Sequence, residues 1–266
     1  PASHSSVKDA NWSATVLAYG LVRSDRMLDR TLDSLRQHIL EALDSRVNLV
    51  GSVICRAPTC DAKRTRAKFK NLTHWRTTLA VGSALATEYS DATKCLAYLN
   101  HSFLEQSNYA NYFQGHHLLR EAFQVHELES ASRLGLGKRV IIPWRVDTLV
   151  ISPLADLIPH EPWTLPKTIF VPALQSAGRL NDRFQYGSSE AFKLWLRSRE
   201  RLLVQTCEYG ETLLMRALRS AQMTVAFTRT LVARLRADLY IPDVDQAVVL
   251  GSMPMRSWMS AVNKCS

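Results

Sequence analysis

The 266-residue chain contains no apolar run near the roughly 20 residues that a membrane-crossing helix needs. Glycine and proline number only ten each, which excludes a collagenous or low-complexity chain. G-x-G-x-x-G is absent, so a Rossmann dinucleotide site has no support. G-x-x-x-x-G-K-[ST] is absent too, which removes the phosphate loop of nucleotide hydrolases. There is no G-x-S-x-G for a serine hydrolase and no H-E-x-x-H for a zinc peptidase. No two cysteines have zinc-ribbon spacing. Acids are the scarcer charge, 24 against 33 basic residues, for a net of +9. Lysine is scarce among the bases, with 9 against 24 arginines.

What is present is apolar enough to fold. Hydrophobic residues make up 46% and charged residues 21%. The length suits one large α/β domain or two small ones. Arginine favours bidentate contacts with phosphate or carboxylate. Charge alone therefore points to phosphates, nucleic acid or the acidic face of a larger assembly. The five cysteines are Cys55, Cys60, Cys95, Cys207 and Cys265, and an odd count leaves at least one outside any intrachain pair. Cys55 and Cys60 are close enough in sequence to close a small loop. Asn11, Asn71 and Asn100 each open an N-x-S/T triplet, a glycan acceptor in a secretory lumen. The chain starts at Pro1 rather than Met, and removal of a signal anchor or transit peptide is one expectation.

Hydrophobic period divides the chain into alternating strands and helices. Residues 14–19 read as a strand ending at Gly20. Asp25 can cap a helix over 26–43, with Met27, Leu28, Leu32, Leu35, Ile39, Leu40 and Leu43 on one stripe. A second strand over 47–54 completes a βαβ unit, whose two strands should be parallel. Residues 56–70 read as a basic loop, with Arg56, Lys63, Arg64, Arg66, Lys68 and Lys70 against Asp61. It lacks the interleaved aromatics of a single-strand nucleic-acid binder. A helix over 107–134 follows, then strands at 139–142 and 169–171. Helices are expected from Ser188 or Ser189 to about Val204 and over 208–220, with a late strand at 225–227. This pattern predicts a single α/β domain over 14–242 with a mainly parallel sheet flanked by helices. Residues 1–13 read as an N-terminal extension and 243–266 as a C-terminal tail.

Ligands of open α/β sheets bind beyond the carboxyl ends of the strands. Four polar clusters fall at such ends. Gly20-Leu21-Val22-Arg23 follows the first strand and suits a diphosphate close to the backbone. Arg145-Val146-Asp147 puts a guanidinium and a carboxylate on alternate residues, and the carboxylate could hold a divalent metal or form an ion pair. The segment 178–187 packs two glycines, Asn181, Asp182, Arg179, Arg183 and two aromatics into ten positions, either as a functional loop or as an Asn/Asp turn. Glu208 and Glu211 open a helix, where their charge suits the dipole, and either could serve as a general base. His116, His117, Glu121, His126 and Glu129 read as solvated helix residues. Cys207 has no histidine near it in sequence.

The order of these segments resembles a poorly characterised group of glycosyltransferases of algae, protists and large viruses. The residues that carry the likeness are Gly20-Leu21-Val22-Arg23, Ser34-Leu35-Arg36, Arg145-x-Asp147, Leu180 to Phe184 with Gly187-Ser188, and Glu211 with Leu213 and Leu214. The Asn-Asp-Arg-Phe segment is the most specific, and the likeness spans roughly residues 14 to 242. It implies a nucleotide-diphospho-sugar transferase fold of the A type, with Mn2+ or Mg2+ and a nucleotide sugar as cofactor and donor. It implies Asp147 as the metal- or sugar-facing carboxylate, Asp182 and Arg183 on the sugar or acceptor side, and Glu211 near the reaction centre. This chain departs from the pattern. Val146 replaces a proline, one acid remains where two are usual, and Gly137-Lys138 stands in place of Tyr-Asp.

One expectation is therefore transfer of a sugar to an acceptor hydroxyl in the Golgi or endoplasmic-reticulum lumen. Gly20, Arg23, Arg145 and Arg183 would bind the donor phosphates, Asn181 the acceptor, and Asp182 or Glu211 would act as base. The other is a catalytically silent accessory subunit of a mitochondrial or plastid assembly, held to other protein subunits through its basic surface. Nucleic acid is the weaker partner, motivated by charge alone.

Overall fold

The computed structural model describes residues 12–43, 47–55, 60–72, 76–82, 90–98, 103–131, 138–152, 154, 162–173, 184–235 and 241. Strand β1 is Trp12–Val22, almost wholly buried along its length. Apolar residues on both faces are what a central strand of a parallel sheet needs. Helix α1, Asp25–Leu35, begins at Ser24, whose side chain accepts from the Met27 amide. The cap is thus one residue earlier than Asp25. The helix runs on through a π-helical turn, Arg36–Leu40, into α2, Glu41–Leu43. Strand β2, Val47–Cys55, returns parallel to β1, so the βαβ unit forms as expected.

The basic stretch is a correction. It is not all loop, because Ala62–Lys70 forms helix α3. Asp61 accepts from the Lys63 and Arg64 amides, and Thr65 and Phe69 are buried beneath the helix. Lys68 lies 2.7 Å from Asp29 and 3.6 Å from Asp25, so part of the cationic charge is spent on α1. A disulfide between Cys55 and Cys60 joins β2 to the start of this helix. Strand β3, Arg76–Gly82, and helix α4, Ser90–Tyr98, have no counterpart in the sequence reading.

Helix α5, Phe103–Ala131, leads into β4, Lys138–Arg145. This strand outruns its expected end by three residues and passes through Pro143. Strand β7 pairs with β4 only at Val140 and Ile141, and beyond them a single bridge joins Trp144 to Phe184. A proline is tolerated where a ladder has stopped. Strand β5, Thr148–Val150, pairs with β9, Val232–Arg234, in a small separate sheet. The main sheet is completed by β6, Thr168–Pro172, β7, Tyr186–Ser188, and β8, Thr224–Thr228. Helices α6, Ser189–Thr206, and α7, Gly210–Ser220, fall where period placed them, with Ser188 capping α6 at the Ala191 amide.

The main sheet has the order β3-β2-β1-β4-β7-β6-β8. Only β7 runs against its neighbours. The architecture is the expected α/β domain with a mostly parallel sheet. One face buries Val16, Ala18, Leu28, Leu35, Ile142 and Val146 against α1. The other buries Leu17, Tyr19, Leu119, Phe123, Ile141 and Trp195 against α5, α6 and α7. A second disulfide, Cys95–Cys207, ties α4 to the end of α6. It takes Cys207 out of consideration as a nucleophile.

Candidate functional site

The chain lays down β1, β2 and β3 in one direction and then places β4 on the other side of β1. The crevice outside the carboxyl ends of β1 and β4 is thus the point where strand order reverses, the default ligand position in such sheets. Register places Tyr19 beside Arg145, and the Val146 amide donates to the Tyr19 carbonyl at 3.0 Å. Gly20 sits just beyond, at a φ of +115°. A Cβ there would stand 3.2 Å from Arg145 Cγ. Glycine is needed both for the backbone angle and for the stem of Arg145 to lie over the end of β1.

The turn after β4 is held from three sides. Thr31 Oγ1 donates to the Val146 carbonyl at 2.8 Å. Trp144 Nε1 donates to the Thr148 carbonyl at 3.0 Å. The Leu235 amide donates to the Asp147 carbonyl at 2.8 Å. Within this frame Asp147 Oδ1 accepts from Arg145 Nε at 2.5 Å, and Oδ2 from Arg145 Nη2 at 3.3 Å and Arg234 Nε at 3.2 Å. Burial pushes the Asp147 carboxyl up, but Arg145, Arg234 and the more distant Arg23 outweigh it and hold the group below its ordinary range. Arg234 is the site residue that the sequence reading missed. It lies 87 positions from Asp147, and only the β5–β9 pairing brings the two together.

These residues do not fit a divalent cation. A hard cation takes six or more oxygen ligands, mostly carboxylates, carbonyls and water. Asp147 already serves guanidinium groups with both oxygens. Among the described residues no three His, Cys, Asp or Glu side chains gather in a metal-holding group.

Asn181, Asp182 and Arg183 lie outside the described residues. The chain emerges from that segment at Phe184, which bridges Trp144, the residue before Arg145. Glu211 is half-buried in the first turn of α7, and Tyr112 donates to the neighbouring Gly210 carbonyl at 3.3 Å. Helix α7 packs on the face opposite α1. Glu208 pairs with Arg216 at 2.6 Å.

The histidine-rich face of α5 is a second correction, because it is packed rather than solvated. Glu121 accepts from Ser52 at 2.6 Å and meets His117 Nε2 at 3.1 Å. Arg120 can only donate to His117 Nδ1, which leaves the His117 proton on Nε2 facing Glu121. Arg120 also pairs with Glu200. Ser52 gives its proton to a carboxylate here, not to a histidine base. His116 is 4% exposed with neither ring nitrogen bonded, and burial, then Arg199, Arg120 and His117, push its pKa well below 6.5.

No family model matches the chain, and no curated protein matches it. Among solved structures, the glycosyltransferase GlyE of Streptococcus pneumoniae is 12% identical with a TM-score of 0.43, over 80% of this chain and 44% of that one. The chain thus spans less than half the length of GlyE. Mouse xyloside xylosyltransferase 1 is 9% identical with a TM-score of 0.40, over 81% and 84% of the two chains. The galactosyltransferase LgtC, solved with donor and acceptor sugar analogues, is 11% identical with a TM-score of 0.43, over 93% and 99%.

Proposed function

We propose that this chain is a glycosyltransferase-like protein that moves a sugar from a nucleotide-diphospho-sugar to an acceptor hydroxyl. The observation that carries the reading is the pairing of Arg145 and Arg234 with one buried carboxylate at the β1–β4 crevice, with Arg23 directly after β1. Fixed cations at the carboxyl ends of parallel strands suit a diphosphate group. In the reaction the bond from the anomeric carbon to the diphosphate oxygen breaks. A new bond forms from that carbon to the acceptor oxygen, and the acceptor proton passes to a base. Charge grows on the departing diphosphate, and preorganised guanidinium groups stabilise it most where they need not move.

Asp182 and Glu211 are the carboxylates proposed for the acceptor side, with Asn181 bonding acceptor hydroxyls and Arg183 adding to the phosphate site. These roles rest on the motif resemblance to the algal, protist and viral group. Two disulfides and an exposed Asn71 in its N-x-S/T triplet support an oxidising lumen as the compartment.

The test is a panel of UDP- and GDP-sugars, read both by calorimetric binding and by release of the nucleoside diphosphate. Saturable binding of at least one donor, with release on adding a hydroxylated acceptor, supports the reading. A folded, monodisperse chain that binds no member of the panel contradicts it.

A further inference from the structure

We propose that the crevice holds its anionic donor without a divalent cation, the guanidinium groups of Arg23, Arg145 and Arg234 supplying the positive charge and Asp147 positioning Arg145 and Arg234. This rests on the donor reading above and deepens it. Arg145 and Arg234 pair with one carboxylate and Arg23 follows directly on β1, so the four groups carry a formal charge of +2. Its layout is one-sided. The Asp147 side chain is 9% exposed, whereas those of Arg145 and Arg234 are 20% and 26% exposed. The anion is the buried member and the cations are the accessible ones, so the side open to a ligand is positive.

A divalent ion at Asp147 would have to displace two guanidinium groups and then sit beside three like charges. A diphosphate meets the opposite situation. It presents acceptor oxygens and negative charge to planar donors suited to phosphate. The surrounding bonds make the arrangement rigid before any ligand arrives. Gly20 leaves room for the Arg145 stem, Thr31 and Leu235 pin the turn, and the β5–β9 ladder carries Arg234. Asp147 is a positioning residue here: it touches the arginines rather than the donor.

UDP and GDP are the probes, titrated into the full chain by calorimetry in chelator and again with manganese. Manganese alone is titrated in a third arm. The expected result is nucleoside-diphosphate binding in chelator, changed less than about twofold by manganese, with no stoichiometric manganese binding to the protein alone. Arg234→Gln and Arg23→Gln are each expected to weaken that binding at least tenfold with the thermal transition retained, and Arg234→Lys to restore part of it. Arg23 has no direct ion pair to Asp147 among those described, so its variant keeps a test available should Arg234→Gln fail to fold. Binding that requires manganese overturns the metal-free site and leaves the donor reading standing. Absence of binding in every arm overturns both.

Discussion

Arg234 on β9 donates to Asp147 in the turn after β4, at 3.2 Å and across 87 residues of chain. One carboxylate thus joins the small β5–β9 sheet to the carboxyl end of the main sheet. Arg145, the last residue of β4, completes the cluster. Asp147→Asn keeps the shape and removes the charge between two guanidinium groups. Leaving a buried partner uncompensated costs up to about 3–5 kcal/mol, and partial exposure of the arginines reduces this to about 2–3 kcal/mol. Urea denaturation of the variant at neutral pH measures it. A loss under about 0.5 kcal/mol, the size of an ordinary surface change, would mean that the cluster does not hold the turn.

The same carboxylate has a pH signature. Its folded pKa lies below the ordinary value of 3.8. A depressed carboxylate adds stability above that ordinary value and loses it as pH falls through the folded one. Wild type should therefore lose more stability than Asp147→Asn on going from pH 5 to pH 2.5. Parallel curves for the two proteins would rule out this contribution.

His116 acts at higher pH. The buried ring resists protonation, while in the unfolded chain it binds a proton below about 6.5. The unfolded state then holds more protons, so stability falls as pH drops through this range, by up to about 1.4 kcal/mol per pH unit. His116→Leu removes two unpaired ring nitrogens and should flatten the loss between pH 6.5 and 5. Arg199, Arg120 and His117 surround the ring and remain in the variant. An unchanged slope in denaturation at the two pH values would contradict a neutral buried His116.

Gly20→Ala places a methyl group 3.2 Å from Arg145 Cγ at a φ of +115°. The backbone penalty alone is about 1–3 kcal/mol. Donor binding should weaken along with stability, because the Arg145 stem must shift. Calorimetry and thermal melting of the variant check the two effects, and a wild-type affinity in Gly20→Ala would remove Gly20 from the site.

The two disulfides should differ in weight. Cys95–Cys207 closes 112 residues and Cys55–Cys60 only 5. The loop-entropy relation gives about 4–5 kcal/mol for the first and about 2 kcal/mol for the second. Double Cys→Ala variants, melted under the same conditions, should rank in that order. The reverse ranking would show that local strain outweighs loop length.

The parts legible in the sequence were those with a strong local signal. The β1–α1–β2 unit, α6 and α7 follow from hydrophobic period, and the Cys55–Cys60 pair from spacing. Gly20 and Arg145 were legible as strand-end residues, but not as a pair in contact. Helix α3 was obscured by its charge, since five basic residues conceal the two buried positions, Thr65 and Phe69. The burial of His116 and the Ser52–Glu121 bond depend on α5 lying across β2, which no local pattern encodes. Arg234 belongs to a three-residue strand, too short for any period, and only its distant partner makes it part of the site.

A crystal structure of the chain with a bound nucleoside diphosphate-sugar would locate the donor phosphates. The diphosphate is expected at the carboxyl ends of β1 and β4, within hydrogen-bond reach of Arg23 and Arg145, with Asp147 still paired with Arg234. A diphosphate seated elsewhere, such as the cleft of about 400 Å³ lined by Arg30, Asp33, His38 and Leu149, would contradict it.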